Sequence, residues 1–95
     1  MITSKRMAIK MREFTYTITD AHGIHARPAG LLAETAKRFS SAISVLCGDR
    51  TADGKRLLAL MSLGARCGDA LSFRIEGADE DEAADALLRT CGEVI

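Results

Sequence analysis

The chain switches between two hydrophobic periods. Across residues 12–19, apolar and polar side chains alternate: Phe14, Tyr16 and Ile18 fall on one side, Thr15, Thr17 and Thr19 on the other. That period of two is the signature of a strand with one buried face. Asp20-Ala21-His22-Gly23 is turn-forming. Across residues 26–39 the period lengthens to that of a helix, with Ala29, Leu32, Ala33, Ala36 and Phe39 on one stripe. Lys37 and Arg38 sit in its last turn, where positive charge complements the helix dipole. Ile43, Val45 and Cys47 then alternate with Ser44 and Leu46 in a second strand. Gly48-Asp49 suits a tight hairpin turn. Residues 50–53 form a short polar third strand that belongs at a sheet edge. Residues 55–63 form a short helix stopped by Gly64. Residues 70–76 alternate again, with Leu71, Phe73 and Ile75 inward. Asp79 is placed to N-cap a last helix, with Glu80, Asp81 and Glu82 in its first turn. Its apolar stripe is Ala84, Leu87, Leu88 and Cys91.

The predicted order is strand, helix, strand, strand, helix, strand, helix. Every strand has one apolar face, so the three helices should cover one side of a four-stranded antiparallel sheet, an α+β fold. Element order does not choose the order of strands within the sheet, and a ferredoxin-like arrangement fits it as well.

Composition narrows the class. The 95 residues suffice for one domain, and 47% are hydrophobic, enough for a single core. A formal net charge of +0 gives no reason to expect nucleic acid or an anionic membrane as a partner. No apolar run is long enough for membrane insertion. Residues 1–10 are basic, with Lys5, Arg6 and Lys10, and lack the apolar segment of a secretory signal. They read as a mobile leader ahead of a domain over 11–95. Cys47, Cys67 and Cys91 are odd in number and far apart, with no Cys-x-x-Cys pair. They read as free, mostly buried thiols of a cytoplasmic protein, with no disulfide framework, no metal site and no cofactor expected.

The candidate chemistry lies in Gly23-Ile24-His25-Ala26-Arg27-Pro28-Ala29-Gly30. Pro is tolerated in a first helical turn, because the amide it lacks would find no partner there. His25 then lies at or just before the helix start, and the free amides of Ala26 and Arg27 point back toward it. A helix N-terminus is a ready anion site. Arg27 adds a fork of donors suited to phosphate. An imidazole, two amides and a guanidinium thus converge where a phosphoryl group on the imidazole would sit. The second histidine, His22, reads mainly as a solvated loop residue, with a rim role near His25 as the lesser reading. The short helix adds a second feature. It is apolar nearly all round, and a two-turn helix lying on a sheet buries only about one face. Leu60 and Leu63 fit the core; Leu57, Leu58 and Met61 are then left exposed, and such patches mark partner surfaces.

With these motifs in place, the chain resembles the HPr family of histidine-containing phosphocarriers of the bacterial sugar phosphotransferase system. Gly-Ile-His-Ala-Arg-Pro-Ala at 23–29 is the specific part. Met61-Ser62-Leu63-Gly64 and Glu76-Gly77-Ala78-Asp79-Glu80 support it at gap-free spacing, and the likeness runs over about residues 11–95. It implies an open-faced β-sandwich with sheet order 1-4-2-3. It also implies that His25 carries the phosphoryl group on Nδ1, that Arg27 contacts it, and that Leu31, Leu57, Leu58 and Met61 form the partner interface. The implied protein is not an enzyme but a carrier acting as a monomer, with enzyme I as phosphoryl donor and enzyme IIA domains as acceptors. One departure matters: Arg56 occupies the position of the regulatory serine found in many Gram-positive members. A nitrogen-related phosphotransferase carrier and an HPr-like regulatory binding protein are the alternatives the same motifs allow. Retention of His25 favours a carrier over a pure regulator. An unrelated anion-binding α/β module fits the helix start but not the near gap-free likeness.

Overall fold

The computed structural model describes residues 11–95; the leader expected over residues 1–10 lies outside them. In chain order the elements are β1 (Arg12–Thr17), α1 (Ala26–Lys37), β2 (Ala42–Cys47), β3 (Arg50–Asp53), α2 (Leu57–Ser62), β4 (Ala70–Glu76) and α3 (Glu80–Val94). The strands form one sheet in the order β1-β4-β2-β3, with every neighbouring pair antiparallel. This is the strand order the resemblance implied, and it removes the ferredoxin-like alternative.

Register explains why the alternation was so clean. Phe14 pairs with Phe73, Phe73 with Val45, and Val45 with Ala52, so one apolar row crosses all four strands. Phe73, Val45 and Ala52 are buried, and the rings of Phe14 and Phe73 stack at 4.6 Å. A flanking row pairs Arg12 with Ile75 and Ile75 with Ile43. The apolar side chains of these rows, Arg12 excluded, join Leu32, Ala33 and Ala36 of α1, Leu60 of α2, and Ala84, Leu87 and Cys91 of α3 in one core. The other face stays open and polar. There Thr15 meets Ser72, with hydroxyls 3.4 Å apart, and Glu13 pairs with Arg74 at 3.0 Å. Among the described residues no helix is long and apolar enough to cross a membrane.

Several sequence expectations shift at element ends. β1 stops at Thr17 rather than 19, because Ile18 turns its amide to the Asp69 carbonyl and its carbonyl to the Gly68 amide. α1 ends at Lys37, two residues short of the expected 39. The Nζ of Lys55 then donates to the Phe39 carbonyl at 2.8 Å. Lys55 is therefore not helical: α2 begins at Leu57, after the Asp53 carboxylate has accepted the Lys55 amide and the Asp53 carbonyl the Arg56 amide.

Three side-chain expectations are also corrected. Asp79 stands at the N-cap of α3, but its carboxylate makes no cap hydrogen bond. It accepts from the backbone amides of Ser40 and Ser41 and from the Ser41 hydroxyl, at 2.9, 3.0 and 2.5 Å. These donors hold its carboxyl below the usual carboxylate range, the Ser41 hydroxyl contributing most. Leu88 lies on the solvent side of α3, and Ala83 takes its expected place in the core. Of the thiols only Cys91 is buried, which pushes its pKa up to about 12; Cys47 is half-buried and Cys67 exposed.

Candidate functional site

The site is a loop pinned from three sides at the mouth of α1. The Asp20 carboxylate accepts the His22 amide at 2.7 Å, and the Asp20 carbonyl accepts the Gly23 amide at 3.0 Å, closing a tight turn. Gly23 has φ +64°, and a Cβ there would collide with the Ala65 carbonyl, so the position demands glycine. The Ile24 amide donates to the same carbonyl at 3.1 Å, and its side chain is buried. From the far end of the chain, the Ile95 main-chain oxygen accepts the amides of Thr19 and Asp20 at 2.7 and 2.8 Å.

This scaffold delivers His25 to the N-cap of α1 in extended conformation, φ −120° and ψ −172°. Its carbonyl accepts the Ala29 amide at 3.0 Å, the first helical hydrogen bond. Its side chain makes no cap bond, so the imidazole is not consumed by the helix. Helix geometry leaves the first-turn amides, those of Ala26 and Arg27 included, without intrahelical acceptors. Pro28 is buried in that turn, where its missing amide costs nothing. His25, Ala26 and Arg27 are all exposed.

An open cleft forms here, lined by Asp20, His22, His25, Arg27, Pro28, Glu93 and Val94. His25 and Arg27, expected together from the sequence, line the same cleft, and so does His22, which the sequence suggested mainly as a solvated loop residue. The structure moves His22 closer: its ring lies 5.7 Å from that of His25, edge-on at 71°. Asp20, Glu93 and Val94 were missed. Asp20 is signalled weakly by the Asp-x-His turn. Glu93 and Val94 arrive from α3 through the fold, and no local pattern announces them.

The short α2 lies beside α1. Gly30 sits five residues beyond His25, roughly 7.5 Å along the helix axis, and a Cβ there would touch the Leu57 side chain at 3.3 Å. Leu31, Leu57, Leu58 and Met61 are exposed, Leu58 to 73%, while Leu60 and Leu63 are buried. Arg56 stands exposed at the N-cap of α2.

Known proteins are similar to this chain in sequence and fold. Residues 12–92 match the family described as the PTS HPr component phosphorylation site. The phosphocarrier protein HPr of Lysinibacillus sphaericus is 40% identical over 84 residues, covering 88% of this chain and 96% of that protein. A multiphosphoryl transfer protein of Xanthomonas campestris pv. campestris is 43% identical over 88 residues. That match takes in 92% of this chain but spans only 10% of the relative's length. The solved structure of a Mycoplasma histidine-containing phosphocarrier protein superimposes with a TM-score of 0.85 at 32% identity, covering 86% of this chain and 93% of that one. With sheet order, loop and sequence in agreement, the chain belongs to the HPr family of phosphocarrier proteins of the phosphotransferase system.

Proposed function

We propose that this chain accepts a phosphoryl group from phosphorylated enzyme I on Nδ1 of His25 and passes it to an enzyme IIA domain in sugar uptake. The observation that carries the reading is the placement of His25: an exposed N-cap histidine whose imidazole is not spent on capping, with Arg27 in the same cleft. In the forward step the Nδ1 lone pair of a neutral imidazole attacks phosphorus as the bond to the donor breaks and its electron pair leaves with the donor. The acceptor repeats the displacement in reverse roles. Little covalent work falls to the protein; position and charge do the rest. The Ala26 and Arg27 amides and the helix dipole offset the phosphoryl charge, and the Arg27 guanidinium supplies a forked donor to its oxygens.

The partner surface follows from the exposed side chains. Leu31 lies on α1, the helix that His25 begins, and Leu57, Leu58 and Met61 lie on α2 beside it, all exposed. A partner seated on them brings its own reactive group to the imidazole, and the chain acts as a monomer in the cytoplasm. Arg56 at the regulatory serine position leaves an HPr kinase without its hydroxyl, so incubation with that kinase and ATP should yield no phosphoserine, as read by intact mass. The carrier reading is tested by discharge. Phosphorylated chain freed of enzyme I and mixed with an enzyme IIA domain should lose its phosphoryl group to that domain. Retention of the group on this chain against every IIA domain tried would contradict the reading.

A further inference from the structure

The chain has two histidines, and both lie close to Asp20 at the start of α1. One ligating atom from each of Asp20, His22 and His25 can be chosen so that all lie within 4.8 Å of one another. The Asp20 Oδ1 is 3.5 Å from His22 Nδ1 and accepts the His22 amide, which fixes the direction of the carboxylate. We propose that Asp20, His22 and His25 form a binding site for a divalent transition metal, and that metal on this site excludes the phosphoryl group from His25. The second half rests on the carrier reading above; the first does not.

The donor set decides the class of ion. Two imidazoles and one carboxylate suit Zn(II), Cu(II), Ni(II) or Co(II), whereas Mg(II) and Ca(II) prefer all-oxygen sites. Metal–ligand distances of about 2.0–2.2 Å bring tetrahedral neighbours to roughly 3–3.5 Å. The three donors, within 4.8 Å of one another, therefore need to close by at most about 1–2 Å. The remaining closure falls to side-chain torsions, and the His22 side chain is 83% exposed and free to turn. The backbone need not move: the Gly23 and Ile24 hydrogen bonds hold both histidines to one rigid turn. Of the charged groups lining the cleft, Arg27 disfavours a cation and Glu93 favours one. The fourth coordination position opens into the cleft and is left to water. Coordination occupies an imidazole nitrogen of His25 and draws that ring toward His22, into the space a phosphoryl group needs.

The test uses the full chain titrated with zinc chloride by calorimetry, and with cobalt chloride by visible absorption. One ion per chain is expected, with His22→Asn and Asp20→Asn each binding at least tenfold more weakly. Cys67→Ser, which removes the nearby exposed thiol, should bind as the unmodified chain does. Unchanged zinc binding in His22→Asn, or loss of it in Cys67→Ser, overturns the site. In the second arm, phosphorylation by enzyme I and phosphoenolpyruvate is followed with and without zinc. Zinc should slow the unmodified chain several-fold more than it slows His22→Asn. Equal slowing of both chains overturns the exclusion. If the metal-free chain takes up no phosphoryl group at all, the carrier reading fails while the binding result still stands.

Discussion

At the residue scale, the site depends on which side chains are left free. His25 begins a helix without capping it, and Arg27 lies exposed in the same cleft with no structural task among the described contacts. Removing the Arg27 side chain should therefore change stability by no more than about 0.5 kcal/mol. Phosphoryl transfer is another matter, because a lost donor to developing charge typically costs a hundredfold or more, on the order of 10²–10³ in rate. Arg27→Ala should melt within a few degrees of the unmodified chain, yet accept phosphoryl from enzyme I about a hundredfold more slowly in rapid-quench measurements. Equal rates would remove Arg27 from the mechanism. The helix start and the shared place of both residues were legible from sequence, because a histidine ahead of x-Arg-Pro marks the first turn of a helix; the spacing permits phosphate chemistry without demanding it. Glu93 was not legible. It is 68 positions from His25 in the chain (93 − 25) and meets the cleft only once α3 has packed on the sheet.

At the element scale, α2 separates core from surface within six residues. Leu60 is fully buried, and a large-to-small change there should cost about 2–5 kcal/mol. Leu58 and Met61 face solvent on the same short helix. Leu58→Glu and Met61→Glu should leave the melting temperature nearly unchanged while weakening binding to enzyme I at least tenfold in calorimetry, as loss of central apolar contacts does. Unfolding of either variant would place these side chains in the core, and undiminished binding would move the interface elsewhere. The exposure of Leu57, Leu58 and Met61 followed from counting apolar positions against one buried face. Leu88 did not yield to the same count. Its helical stripe was drawn too wide on that side, and Ala83, one turn before Leu87 on the same face, is buried instead. Strands were read well because a period of two leaves no freedom once one face is buried. Element ends were read less well, since Lys55 and Ile18 are claimed by distant carbonyls and amides rather than by their own segments.

At the scale of the whole molecule, Asp79 shows a tertiary demand overriding a local one. Its carboxylate passes over the amides of α3 and gathers three donors from Ser40 and Ser41, tying the α1–β2 connection to the start of the last helix. Because these donors lower its pKa in the folded state, their contribution is present above the unfolded carboxylate pKa and is lost as pH falls through the folded value. Asp79→Asn should lower the melting temperature at neutral pH and flatten its decline at acid pH. A variant with the full acid sensitivity of the unmodified chain would assign that sensitivity to other groups. The sheet order itself was not legible from the pattern of residues. Only β3, short and polar, pointed to an edge place; the other three strands show equivalent one-faced alternation, and only long-range pairing of β1 with β4 and of β4 with β2 distinguishes the arrangements. It became an expectation through the residues at 23–29, whose likeness to a known family carries the topology with it.

The central claim is that His25, and no other residue, is the phosphoryl acceptor. Its most direct test is the intact mass of the chain after incubation with enzyme I and phosphoenolpyruvate, read before and after brief acid treatment. The expected result is one acid-labile phosphoryl group per chain, absent from His25→Ala and present in His22→Ala. A label that survives in His25→Ala, or that fails to form on the unmodified chain, would contradict the claim.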